Sequence, residues 1–267
     1  MTAQARAVAV AWLLIGLATL VGCAAPGAGN DPREPVTASD LTDADRRSRA
    51  RLELASAYFS RGQLETALDE IKLSIQAKPD VAEAFNLRGL IYASMGDVVL
   101  AELSFKRALQ LQPRDADTMH NYGWFLCQQR QYDAALDQFQ SALAQPQYRG
   151  LPRTLAARGL CQARAGHWLE AEGSLMRAYE LEPTNPSTAM NLAEVLYQRA
   201  DFERARFHVA RVNSQAETTN AQSLWMAARI EHKLGRLDQS LAFGEQLRAR
   251  FPQAPETALF EKRRFDD

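Results

Sequence analysis

A block of 34 residues recurs along this chain, and its clearest copy runs from Ala82 to Asp115, AEAFNLRGLIYASMGDVVLAELSFKRALQLQPRD. Gly89 stands three residues before Tyr92, Ala101 four before Phe105, Ala108 three later, and Pro113 closes the block. The small residues let two helices approach closely, while Tyr92 and Phe105 fill the space beside them. Met95-Gly96-Asp97 supplies a turn, and Pro113 stops the second helix because it cannot continue the hydrogen-bond ladder. One helical hairpin cannot bury its apolar faces alone, so the copies must stack.

This spacing is the signature of the tetratricopeptide repeat (TPR), a helix–turn–helix unit. Sliding it along the chain predicts six copies, at 48–81, 82–115, 116–149, 152–185, 186–219 and 221–254. Only Gly150, Leu151 and Asn220 fall between copies, a register that compositional bias does not produce. The last two copies are weaker. Glu217 stands where a proline is expected, and Ser240 and Gly244 stand where alanine and a large apolar residue are usual. Residues 255–267 are expected to form a C-terminal capping helix, with the charged run EKRRFDD solvating the last repeat. The expected fold is all-α: a right-handed superhelical solenoid whose first helices line a concave groove and whose second helices face outward.

The N-terminus reads as an address. Arg6 is the one charge before Gly22, and an apolar run from Ala7 to Leu20 ends in small residues, the pattern of a secretory signal peptide over 1–22. Its stretch of about 16 uncharged residues falls short of the roughly 20 that span a bilayer. Leu20-Val21-Gly22-Cys23 resembles the lipobox of bacterial lipoproteins, in which the peptide is cut before the cysteine and that sulfur is acylated. Several acyl chains on Cys23 would anchor the protein stably. Ala24, where an aspartate is absent, favours the outer membrane by the same resemblance. Residues 23–47, proline- and glycine-bearing and without apolar periodicity, are expected to be the lipidated cysteine and a flexible tether. The reach of such a tether is about 25 Å.

Charge is nearly balanced, with 31 basic and 32 acidic residues, which gives no basic surplus for a nucleic-acid partner. His120, His167, His208 and His232 are scattered over four repeats, and none belongs to an HExxH pair or a cysteine–histidine metal pattern. The chain has no GxSxG elbow and no phosphate-binding glycine loop. Neither catalysis, a metal, a cofactor nor a small-molecule substrate is expected. Cys127 and Cys161 lie 34 residues apart, but the Gly150-Leu151 insertion leaves them two helical positions out of register. Two positions is about 200° around a helix. Equivalent helices of neighbouring repeats lie roughly 10 Å apart, beyond the Cα limit of about 7 Å for a disulfide. Two free thiols are therefore expected.

Function is expected in the groove. Its inward positions read Asn86 and Leu90; His120 and Trp124; Met190, Glu194 and Tyr197; Trp225, Arg229 and His232. Aromatic, thioether and polar side chains in this mixture suit an extended or helical peptide. Trp124 and Trp225 fit equally well as core residues packed between repeats. Leu52 and Ser56, and Asn86 and Leu90, occupy the places where chaperone-binding TPR domains carry a carboxylate clamp, so a C-terminal carboxylate is a disfavoured ligand.

As a whole the chain resembles the type IV pilus biogenesis and stability lipoproteins, the PilF/PilW pilotins. The passages that carry the resemblance are HNYGWFLCQQRQYDAAL (His120 to Leu136), PSTAMNLAEVLYQRADFERAR (Pro186 to Arg206) and NAQSLWMAARIEHKLG (Asn220 to Gly235), which leads to FPQAPE. Asn121, Tyr122, Gly123, Phe125 and Leu126 include positions that a generic repeat leaves free. The resemblance implies a protein on the periplasmic face of the outer membrane that promotes localisation and multimerisation of the pilus secretin. It transfers architecture, role and Cys23, but no contact residue. The alternative is a TPR lipoprotein scaffold for peptidoglycan enzymes or outer-membrane protein assembly.

Overall fold

The computed structural model describes residues 42–265. The expected signal peptide, Cys23 and nearly all of the expected tether lie outside the described residues, as do Asp266 and Asp267. Thirteen helices and no strand are found among the described residues. Twelve form antiparallel pairs: α1 (Asp43–Ser60) with α2 (Leu64–Ala77), α3 (Ala82–Met95) with α4 (Val98–Leu111), and α5 (Ala116–Gln128) with α6 (Tyr132–Leu143). Then follow α7 (Leu151–Arg164) with α8 (Trp168–Leu181), α9 (Pro186–Gln198) with α10 (Phe202–Asn213), and α11 (Ala221–Lys233) with α12 (Leu237–Arg250). A short α13 (Pro255–Glu261) closes the array. None of these helices is long and apolar enough to cross a membrane.

One interlock repeats through the stack. Gly89 on α3 faces the ring of Phe105 on α4 so closely that an added Cβ would lie 2.7 Å from it. Gly123 meets Phe139 and Gly159 meets Leu175 in the same way, at 3.0 and 2.6 Å. Phe105, Phe139 and Leu175 are completely buried. Where the first helix carries alanine instead, at Ala55 and Ala193, the second carries the smaller Ile71 and Val209, also buried. The sixth pair departs from this scheme for a visible reason. Gly244 holds the place of the large residue, and the ring of Phe260 from α13 fills the vacated volume, 1.9 Å from where a Cβ would stand. Ser240, in the usual alanine place, is buried and donates to the carbonyl of Ala228 at 2.8 Å. The weak sixth repeat is thus completed by the helix that follows it.

Turns and ends follow the same economy. Gly62, Gly96, Gly166 and Gly235 take positive φ between the helices of four pairs, and Arg130 and Ala200 adopt it in the third and fifth. That conformation costs a residue with a Cβ about 1–2 kcal/mol. Helix α1 begins at Asp43, upstream of the expected boundary between tether and first repeat at 47 and 48. Thr42 and Asp45 explain it. The Thr42 side chain accepts from the Asp45 N–H, and the Asp45 carboxylate accepts from the Thr42 N–H, closing a capping box. At the other end the helix stops at Glu261 rather than running on through the charged residues, because the chain turns at Arg263 (φ 53°).

Each first helix also touches the first helix of the next pair, while among the described residues no second helix touches another second helix. The stack therefore curves with α1, α3, α5, α7, α9 and α11 on its inner side. This close approach overturns the expectation of free thiols. Cys127 on α5 and Cys161 on α7 form a buried disulfide with a Cα–Cα distance of 5.8 Å. The offset of two positions is what makes it possible. The face of α5 that looks towards α7 and the face of α7 that looks back lie on opposite sides of the repeat, about 200° apart in helical register. Axes roughly 10 Å apart also bring facing Cα atoms to about 5.4 Å, since each lies 2.3 Å off its axis. The extra residues are absorbed before α7, where Gln147 takes φ 60°.

Gly89→Ala is expected to cost about 1–3 kcal/mol by overpacking, more than the roughly 1 kcal/mol that helix propensity returns. The loss should shrink when Phe105→Leu is made with it, and urea denaturation of both single variants and the double variant measures the coupling. The disulfide closes a 34-residue separation, so reduction should cost about 3–4 kcal/mol. Calorimetry with and without dithiothreitol gives that difference, and peptide mapping of the unreduced, denatured protein should find the two cysteines linked.

The concave groove as a candidate partner site

The fifth, ninth and twelfth residues of each repeat project from the first helices onto the inner surface, and all ten predicted groove residues occupy these positions. The structure sorts them into two stretches. Along α3, α5 and the first half of α9 most of these side chains are partly available. Asn86 is half-buried and accepts from the Asn121 amide at 3.2 Å, tying α3 to α5. Leu90 packs against the core cluster built on Phe105 and Phe139. Trp124 is half-buried, with the Arg164 guanidinium 4.8 Å over its ring. Met190 packs against the next cluster, and Glu194, half-buried, accepts from Gln198 at 2.9 Å.

His120 is the buried polar member of this stretch. Its Nδ1 lies 2.9 Å from the Thr154 hydroxyl, which in turn lies 2.8 Å from the Tyr148 hydroxyl. Burial, and secondarily the positive Arg153 nearby, push the imidazole down to about 4. It is a neutral hydrogen-bonding group at physiological pH. An open trough of about 340 Å3 runs past His120 and Trp124 to Arg153, Glu182 and Asn191. Ala156 and Leu160, the groove positions of the fourth repeat, line it as well. Neither was singled out from the sequence, although the register that places His120 and Trp124 also places them. Thr154 and Tyr148 carried no sequence signal, because the turn containing the insertion brings Tyr148 there.

The second stretch is already covered. Tyr197, Trp225, Arg229 and His232 meet Phe265, which the turn at Arg263 brings back onto α9 and α11. The Phe265 ring stacks on His232 with centroids 4.2 Å apart and on Trp225 at 5.3 Å. Its carbonyl accepts from Arg229 Nε at 3.2 Å and from the Tyr197 hydroxyl at 3.4 Å. Trp225 is consequently only 5% exposed. The phenylalanine that sequence reading placed in a solvating run is a buried residue.

Among the described residues no group of His, Cys, Asp and Glu is placed to hold a metal ion. The second strongly perturbed imidazole, His208, is also pushed down to about 4 by burial first and by Arg204 and Arg211 after it. It packs edge-on against Tyr179 at 4.8 Å, between repeats and away from the groove positions.

These features define an all-helical array of tetratricopeptide-type pairs. Two models of the tetratricopeptide repeat family match residues 52–116 and 104–137. Over nearly its whole length the chain is similar to the type IV pilus assembly protein PilF of Pseudomonas aeruginosa. The two are 25% identical over 256 residues, which is 96% of this chain and 98% of that protein. Among solved structures it is similar to PilW, a widely conserved type IV pilus biogenesis factor, at 27% identity and a TM-score of 0.75, over 80% of this chain and 97% of the other. The PilF structure from P. aeruginosa shares the fold at a TM-score of 0.72 and 23% identity, over 83% and 100%. Both names are those of pilus assembly or biogenesis factors rather than of a reaction.

Both buried imidazoles are neutral in the folded state down to about pH 4, whereas unfolded histidine takes up a proton near 6.5. The unfolded chain therefore binds more protons between these values. The stability from keeping them neutral is complete above about pH 6.5 and is lost as pH falls towards 4. Urea midpoints should fall through this window, and the combined variant His120→Gln, His208→Gln should flatten the slope there.

Proposed function

We propose that this protein is an outer-membrane-anchored TPR lipoprotein that acts in type IV pilus biogenesis by binding pilus-assembly components and promoting localisation and multimerisation of the secretin. The observation that carries the reading is the reciprocal, nearly full-length similarity to PilF, 96% of one chain against 98% of the other. Repeat similarity by itself would align a window of one protein with part of another. The similarity, covering 96% of this chain, extends into the region before the first helix, where we place the signal peptide 1–22 and the acylated Cys23.

The physical fit is direct. A stacked array held by buried interlocks and a disulfide presents a stiff inner surface, and a lipidated tether would keep that surface close to the membrane. The trough along α5, α7 and α9 offers an apolar floor with His120, Arg153 and Glu182 for polar contacts. We assign this stretch, with Asn86 and Leu90 beside it, to the secretin segment.

A strain lacking the gene should lose secretin multimers on a gel and lose twitching motility, and the intact gene should restore both. Cys23→Ala should move the protein from the outer-membrane fraction to the soluble periplasm. Unchanged multimers with normal pili would sink the secretin role, and continued outer-membrane fractionation of the variant would refute the lipid anchor.

A further inference from the structure

Phe265 sits in the groove as a ligand would. Glu261, Lys262, Arg263 and Arg264 are all exposed, yet Phe265 is only 8% exposed. Its ring is held against His232 with the two planes 9° apart, while Trp225 supplies a second ring and Phe260 an edge at 6.3 Å. Arg229 and Tyr197 both donate to its backbone carbonyl, and the Arg229 guanidinium lies 4.4 Å over the Tyr197 ring. These are the fifth, ninth and twelfth positions of the last two repeats, equivalent to the positions that line the open stretch. Phe265 shares the cluster of Leu224, Trp225, Leu247 and Phe260 that closes the sixth repeat, while the space beside Gly244 itself is filled by Phe260.

From this geometry we infer that the inner face of α9 and α11 is a binding subsite for an aromatic residue in a peptide segment, and that residues 261–265 are its resident occupant. A partner segment enters by displacing Phe265. The recognition chemistry is specific: the two stacking rings select an aromatic side chain, and the paired donors of Arg229 and Tyr197 read the carbonyl that follows it. An aliphatic residue would keep the carbonyl contacts and lose the stacking. Phe265 itself engages the inner face through its ring and its carbonyl. While this contact is closed, the apparent affinity for an incoming segment is reduced by the fraction of molecules that are open. This deepens the reading of the groove as a peptide surface and rests on it, but it does not depend on pilus assembly.

The test uses the protein alone and a fluorescein-labelled peptide of residues 261–265, EKRRF, followed by anisotropy. Phe265→Ala should bind the peptide about tenfold or more tightly than the unsubstituted protein. Adding Arg229→Ala to that variant should remove the gain, and a peptide with alanine in place of its phenylalanine should not bind. Equal binding by the unsubstituted and Phe265→Ala proteins would overturn the inference, as would no binding by either. A Phe265→Ala protein that has lost its native melting transition would also overturn it, because Phe265 would then be part of the structural cap. Secretin assays play no part, so the inference and the pilus role can fail separately.

Discussion

The stack depends on the fit between a small residue on the first helix of each pair and a large one on the second. Gly89 against Phe105 and Gly159 against Leu175 leave no room for a methyl group, and the large member is completely buried. Close packing of this kind fixes the angle within each pair. A constant angle in turn lets one pair rest on the next without a gap, and the first helices thereby fall on the inner side. Where alanine stands in place of glycine, at Ala55 and Ala193, the facing residue is the β-branched Ile71 or Val209. The sixth pair shows the rule by its exception, since Gly244 borrows its large partner, Phe260, from α13.

The same closeness has two consequences for function. It brings α5 and α7 near enough for Cys127 and Cys161 to join, which ties the third repeat to the fourth beneath the trough. It also buries His120 against Thr154 at the trough wall, where desolvation keeps the imidazole neutral and available as a hydrogen-bonding group. Arg153 stands close to His120 along that wall, and Glu182 also lines the trough. Beyond it, the covered stretch at Phe265 has a different character, built from stacked rings and two donors aimed at one carbonyl.

Much of the fold could be read from residues 48–254, because repeat positions are local: a turn glycine, a small residue and a large one at fixed spacing specify the hairpin wherever they occur. Candidate groove positions could be named for the same reason, since the repeat register assigns each first helix its fifth, ninth and twelfth residues. What escaped was contact between distant segments. The cysteine separation looked unfavourable because register was compared as though equivalent faces had to meet, whereas stacked helices meet by opposite faces. Phe265 escaped because its neighbours are charged, and a charged run normally marks a solvated helix.

By itself the sequence determined the architecture and the repeat register, since 34-residue spacing and small–large pairing act within one hairpin and its immediate neighbour. Tertiary structure alone decided which groove positions are open. Leu90 and Trp124 on one side, and Trp225 and His232 on the other, have the same inward register. Only the turn at Arg263 separates them, because it lets a residue distant in sequence compete for the surface that the repeats create.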